Sequence, residues 1–520
     1  MHHALELLEI LEQIFALIGH RATLACLART CKTFKEPALD ALWKKLVSLE
    51  PLLRCLPRDS WGDSENEQDT IVMLRPLRKS DWIAAKDYAR RVKWLYFQAE
   101  SSQLNLRQYL RAIEECFPVG SACLLPNIRT LFWAPGGHHS HSGRDLARTA
   151  RPFLGPLLRE LSLYISPESH SFYAQLPFDF STLERLSVHV LRPWAMEGTS
   201  LPVVMALTRV RHLEIPWLND EAFEHISHIP FLETLEISSA QAWTPCPRSP
   251  SQTSHVPPFS ALGRLCLQNA NADVARNIIA TCPLWSLQSL VISLTSPTIP
   301  WRTIARLYAA IGATVSATTL TKLYLGKFRA FHAPASEESR SNYAVQGAAL
   351  RPLFQFSKLK SVTLHTTAGF DLDDTVIWEM AKAWPLATSI DISSGSTISV
   401  SPSITIDALR AFSLHCPVLV NLTLEFDATI GGGSYLTSPT TQCVLTSLGV
   451  MRSPIADPST VKAFLLRVFP RLTAIILPPS YPDLDMYEEA ERDRLRNWIN
   501  IGAWLKAADR LAERDLASVS

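Results

Sequence analysis

The sequence predicts an α/β repeat array fronted by a small all-helical module, and three observations predict it. Fourteen windows place apolar residues at positions 1, 4 and 6 of a short segment. Helix-like sequence precedes each window, and the windows recur along most of the 520 residues. The first fifty residues carry a different, purely helical periodicity.

The module comes first. Leu7, Ile10, Leu11, Ile14 and Ile18 make an apolar stripe at helical spacing, Leu24, Leu27 and Cys31 a second, and Leu39, Leu42, Leu46 and Leu49 a third. A unit of about 45 residues with this much apolar surface is marginal alone, and a partner's groove would complete its core. Residues 57 to 70, with Asp59, Asp63, Glu65, Glu67 and Asp69, read as a polar acidic linker.

The windows then begin at Val92, Ile128, Leu158, Leu183, Val210, Leu232, Leu262, Leu287, Leu320, Leu359, Ala387, Leu419, Leu445 and Leu472. They span 380 residues in 13 intervals, a mean of about 29 with a range from 22 to 39. That period is the upper edge of the leucine-rich-repeat range, and the spread marks a divergent array with inserted loops. Residues 4 and 6 alternate with 3 and 5, so a strand turns one pair inward and the other outward. One repeat cannot bury its apolar edge alone; stacked neighbours make a continuous core. The intervening segments read as helices. Val461, Phe464, Leu465 and Val468 form one stripe after Asp457-Pro458, and Ile304, Leu307, Ile311 and Val315 another. Several end in x-Pro, as at Ile229-Pro230, Cys282-Pro283, Trp384-Pro385, Cys416-Pro417 and Phe469-Pro470. Position 9 is small (Gly136, Ser166, Ala240, Ala270, Thr295, Thr367, Gly395), so the asparagine ladder of regular repeats is missing. Residues Tyr487 to Leu511 read as a charged helix with Leu495, Trp498, Ile499 and Leu505 on one face, suited to cap the array.

Composition and motifs exclude several functions. Lys plus Arg is 50 and Asp plus Glu is 49, so no phosphate-tracking field is expected, and no local basic stripe stands out along the chain. The ten cysteines are scattered without paired spacing, as expected of buried thiols in a reducing compartment. No apolar run approaches the roughly 20 residues of a membrane span. The chain is therefore expected to be soluble, cytoplasmic and/or nuclear. His138, His139 and His141 lie in a Gly/Ser-rich loop without a neighbouring Cys or carboxylate, so no metal site is expected there. Thr244 to Pro258 is Pro/Ser-rich and reads as a loop, and Gly431-Gly432-Gly433 as a turn. With no nucleophile elbow, phosphate loop or H-E-x-x-H, no enzyme activity and no cofactor are expected.

Two resemblances carry a functional expectation. The stretch from Ile406 through Cys416-Pro417-Val418-Leu419-Val420-Asn421-Leu422-Thr423-Leu424 resembles the leucine-rich repeats of F-box proteins. The order of residues in the N-terminal module resembles an F-box. Leu7-Leu8-Glu9-Ile10-Leu11-Glu12-Gln13-Ile14-Phe15 is similar to the family's opening helix, Thr30 to Phe34 to its Val-Cys-Arg-x-Trp segment, and Leu42-Trp43 to its closing Leu-Trp. Leu8 stands where the family usually has proline, and Phe34 where it has tryptophan. The resemblance implies four regions: an F-box-like domain over 1–50, a linker over 51–90, a leucine-rich-repeat solenoid over 91–480 with helices on its convex side, and a capping helix over 481–520.

F-box modules dock onto the Skp-family adaptor of cullin–RING ubiquitin ligases, and their C-terminal domains hold the protein to be ubiquitylated. The resemblance thus implies a substrate-recognition adaptor of an SCF-type ligase, monomeric apart from that complex. It assigns Leu7, Ile10, Ile14, Phe15, Ile18, Leu24 and Trp43 as adaptor-facing or supporting residues. The alternative is a non-catalytic scaffold with a degenerate F-box, unconnected to ubiquitylation. In either case the outward positions 3 and 5 are where a target protein would bind, with Trp94, Tyr96, Phe132, Arg185, His212 and Arg264 as candidates, because aromatic and Arg side chains anchor interfaces. Neither nucleic acid nor membrane is expected as a partner.

Overall fold

The computed structural model describes residues 7–63, 71–98, 104–118, 123–134, 148–165, 179–190, 202–240, 257–282, 284–295, 299–326, 342–366, 368–394, 402–429, 443–477 and 489–519. The histidine loop, residues 244–256 of the Pro/Ser-rich stretch and Gly431–Gly433 lie outside them. The chain divides into two compact units, Met1–Ser238 and Ser239–Ser520, so the array expected over 91–480 is shared between them.

Unit one begins with helices α1 (Leu8–Ala16), α2 (Arg21–Leu27) and α3 (Lys32–Trp43). A parallel ladder follows, of strands Lys45–Leu46, Trp94–Gln98, Thr130–Ala134, Glu160–Ile165, Arg185–Val190, His212–Ile215 and Thr234–Ile237. Unit two carries strands Arg264–Ala270, Ser289–Leu294, Lys322–Gly326, Ser361–Thr366, Ser389–Ser394, Asn421–Leu424, Ser447–Gly449 and Ala474–Ile476, again paired in parallel. Each of the fourteen sequence windows supplies one strand, which starts at window position 3. The fifteenth strand, Lys45–Leu46, was not among them; it is two residues long, and position 6 of its register is the polar Ser48.

Register explains why the windows are legible. Position 4 pairs only with position 4: Leu46, Leu95, Leu131, Leu161, Leu186, Leu213 and Leu235 form one row in unit one. All of these are buried. In unit two the row runs Leu265, Leu290, Leu323, Val362, Ile390, Leu422, Leu448 and Ile475. A slip of one residue would turn every one of these outward, so the apolar alternation itself fixes the pairing. Helical segments return the chain between strands. Asx side chains cap several of them: Asn219 accepts from the Ala222 N–H, Asn271 from Asp273, Asp373 from Val376 and Asp457 from Ser459 and Thr460. Pro230, Pro385, Pro417 and Pro470 sit just beyond helix ends at Ser227, Ala383, His415 and Val468, as expected, and Pro283 lies outside the described residues.

Two expectations are corrected. The stretch between module and repeats is not a plain acidic linker where it is described. Trp61–Asp63 pairs antiparallel with Ile71–Met73, the indole N–H of Trp61 donates to the Leu56 carbonyl at 3.1 Å, and Leu52, Leu53, Trp61 and Trp82 are buried. Arg75 bridges Asp59 and Asp81 there, at 2.8 and 2.7 Å. The acidic residues that suggested a linker are partly ion-pair partners, and the apolar residues between them drive folding. The C-terminal helix, Glu489–Val519, buries Leu495, Trp498, Ile501 and Leu505, while Ile499 is exposed. Its Trp498 indole donates to the Ser453 carbonyl at 2.9 Å, which fixes the rotation of the helix. No helix among the described residues is long and apolar enough to cross a membrane.

Candidate interaction surfaces

The helices α1–α3 form a small core of their own. Leu11, Phe15, Leu24 and Ala38 are buried at its centre, with Ile18, Leu27, Phe34 and Leu42 packed round them. Phe15 and Phe34 meet edge to face at 5.4 Å. Helix α1 is apolar on a second stripe as well. Leu7, Ile10, Ile14 and Leu17 follow i, i+3, i+7, i+10; Ile10 is half-buried and the other three are exposed, Leu17 by 87%. Leu8 beside them is exposed too. Four large aliphatic side chains left in water on one short helix are a contact surface awaiting a partner.

The seven residues assigned to the adaptor therefore separate. Leu7, Ile10 and Ile14 lie on the open stripe, and Ile18 packs at the edge of the core. Phe15, Leu24 and Trp43 are buried and can act only as support. Trp43 stacks on Tyr88 at 4.7 Å, a contact with the stretch expected to be linker. Sequence reading missed Leu17, although its i+3 spacing from Ile14 was visible.

On the unit-one ladder the outward positions form rows. Position 5 brings Tyr96 against Phe132, ring centroids 4.1 Å apart and nearly parallel. Trp94 stacks on Tyr96 at 5.9 Å. The run continues at position 7, where Tyr164 lies 5.4 Å from Phe132 and 4.5 Å from His189. His189 Nδ1 stands 3.3 Å from a Glu214 carboxylate oxygen. Trp94, Tyr96 and Phe132 are thus brought together, and Tyr164 and His189, which the sequence pattern at positions 3 and 5 does not single out, join them from position 7. Arg185 and His212 are register neighbours at position 3, apart from the rings. Burial, and then the Arg185 charge, holds the His212 imidazole below its ordinary pKa. Arg264 is exposed in unit two, beside Ser289 in register.

Position 2 holds a feature that the linear sequence conceals. The Lys44 carbonyl accepts the N–H groups of Lys93 and Trp94, that of Lys93 the N–H groups of Arg129 and Thr130, and that of Arg129 the N–H groups of Arg159 and Glu160. Lys44, Lys93, Arg129 and Arg159 therefore stand in four successive rungs. The expectation of no basic stripe is corrected here: these residues are 30 to 49 apart in the chain, and only the register gathers them.

The comparisons with known proteins bear on the helical module. A family model described as F-box-like matches residues 8–48. Residues 8–48 are an F-box-like domain. No curated protein matches the chain. Among solved structures, the yeast Rad7 and Elc1 complex aligns with 14% identity over 73% of this chain and 81% of that one, at a TM-score of 0.33. The leucine-rich repeat-containing protein LegL7 of Legionella pneumophila aligns with 12% identity over 69% of this chain and 95% of that one, at a TM-score of 0.28. The repeat fold rests on the ladder itself.

The F-box-like domain is continuous with the first repeats. Near its C-terminal end, Lys45 and Leu46 pair with Trp94 and Leu95 as the first rung of the ladder. The Arg91 guanidinium, only 8% exposed, bonds both Glu36 and Asp40 of α3. Trp43 on Tyr88 completes the joint. The domain is thus held to the stretch that opens the array by a buried cation, a ring stack and a strand pair.

Proposed function

We propose that the protein is a non-catalytic substrate-recognition adaptor of an SCF-type cullin–RING ubiquitin ligase. The F-box-like domain binds the Skp-family adaptor, and the repeats bind the target protein. The observation that carries this reading is the open stripe Leu7, Ile14 and Leu17 on the domain's first helix, with Leu8 exposed on its flank. Burying such side chains in a partner groove is favourable by about 1.5–3 kcal/mol each. The joint through Arg91 supports the same reading, because an adaptor must hold its target at a fixed distance from the ligase.

The test is co-purification with the Skp-family adaptor. The wild-type chain captures it, and Ile14→Asp plus Leu17→Asp weakens capture by about tenfold or more. Both side chains are exposed, so the variant keeps its thermal unfolding midpoint. If the wild-type chain captures no adaptor, or the variant captures it equally well, the ligase reading is wrong and the protein is a scaffold.

A further inference from the structure

We propose that the first rungs of the unit-one ladder hold an acidic, extended segment of the target protein. This deepens the adaptor reading and rests on it for the word target. Lys44, Lys45, Lys93 and Arg129 are all exposed, and none of their side chains has a carboxylate partner among the described residues. Adjacent rungs are about 4.8 Å apart, a separation at which like charges destabilise a sheet. Of the nearby carboxylates, Glu36 and Asp40 are held by Arg91 and Glu184 by Arg159 at 3.9 Å, while Glu160, exposed at position 3 of the fourth rung, accepts from the Thr130 hydroxyl at 3.3 Å. The row then changes sign at Glu184, so its positive stretch is confined to the first four rungs.

Three to five positions further along the same rungs runs the aromatic stack through Tyr96, Phe132 and Tyr164, all half-buried. The combination decides what kind of anion fits. A nucleobase slotted between two rings would need them about 7 Å apart, twice the usual contact distance. The rings stand 4.1 and 5.4 Å apart, so no base enters between them. They present instead a continuous apolar strip, matched by an aromatic or branched aliphatic side chain. Spacing agrees with an extended peptide laid across the strands. Four rungs cover about 14 Å, and three carboxylates at alternate residues of an extended chain cover about the same. The recognised segment therefore alternates acidic side chains over the basic row with bulky apolar ones over the rings.

The experiment pans a random peptide library against the full chain. Enriched peptides carry Asp or Glu at alternate positions and at least one Phe, Tyr, Leu or Ile. A synthetic copy of the best binder loses about tenfold in affinity with Lys93→Glu plus Arg129→Glu, and comparably with Phe132→Ser. The charge-reversed variant still captures the Skp-family adaptor, which separates this inference from the ligase reading. If wild-type chain binds the peptide but no adaptor, the ligase reading falls and this inference stands. Neutral or basic enriched peptides, no enrichment, or binding indifferent to the charge reversal overturn it. Tighter binding of labelled oligothymidylate than of any peptide also overturns it, in favour of single-stranded nucleic acid.

Discussion

The two ladders share one face and differ on the other. Their position-4 and position-6 rows are interchangeable aliphatic or aromatic residues, nearly all buried. Their outward rows have little in common. Unit one gathers Trp94, Tyr96, Phe132 and Tyr164 in contact, with charged neighbours. Unit two shows many small residues there, among them Ser289, Ser361, Thr363, Ser389 and Thr423, beside Arg264, Lys322, Tyr324 and a His365–Asp391 pair at 3.0 Å. Inward residues are constrained by stacking, which every repeat must satisfy in the same way. Outward residues are released from that constraint, so what distinguishes the units there reports on what each one binds.

The comparison breaks if the inward rows are not equivalent. Leu131→Ala in unit one and Leu323→Ala in unit two each remove a fully buried side chain from the centre of a row. Each should cost about 2–5 kcal/mol. Urea unfolding followed by circular dichroism checks this; a loss below 1 kcal/mol at either position would show that one ladder tolerates cavities and is not a close-packed stack.

The same asymmetry explains what the sequence disclosed. Inward residues recur at 1, 4 and 6, so the window that carries each of the fourteen strands could be located before any register was known. Outward residues obey no period, and their neighbours are set by pairing across 22 to 49 positions of chain. Trp94, Tyr96 and Phe132 were legible as candidates because they are large and sit at positions 3 and 5. Tyr164 and His189, at position 7, were not, nor was the basic row. That row becomes visible only when position 2 is read down the windows: Lys93, Arg129, Arg159, then Glu184. In the F-box-like domain the helical stripe was legible, but two adjacent stripes on α1 were merged. Phe15 was therefore set beside Ile14, although one faces the core and the other solvent.

A smaller effect tests whether the F-box-like domain and the ladder behave as one body. Arg91→Ala leaves Glu36 and Asp40 of α3 without their shared cation and the start of the array without its tie. The carboxylates are more than half exposed and can resolvate, so the expected loss is about 1–3 kcal/mol. Hydrogen exchange at the Lys93 and Trp94 amides, both bonded to the Lys44 carbonyl, should speed up in the variant. Unchanged protection would mean that the strand pair alone holds the joint.

Acid should act on unit one through Asp81. Its side chain is 7% exposed, and the Arg75 hydrogen bond holds its carboxyl below the ordinary range of about 4. A depressed pKa in the folded state stabilises fully above the unfolded value and is lost as pH falls through the folded one. Stability should therefore decline from about pH 4 downward, and Asp81→Asn should flatten that decline. In unit two, Asp457 is held down to about 2 by the Ser459 and Thr460 hydroxyls, but it is exposed. Its replacement by Asn keeps a capping acceptor and should change the acid profile less. Equal slopes for the two variants would remove the distinction.

The finest test returns to the outward rows. Phe132→Ala removes the middle ring of a stack, and aromatic pairs contribute about 0.5–1.5 kcal/mol beyond their buried area. Thr363→Ala, at the same window position in unit two, should stay within about 0.5 kcal/mol. If both are neutral for folding, the rings of unit one contribute nothing to their own ladder, and their clustering is left to be explained by binding alone. If Phe132 costs about 1 kcal/mol or more, the stack is preorganised. Side chains already ordered by one another lose little entropy when a partner arrives, so the same rings that stabilise the ladder also lower the cost of binding.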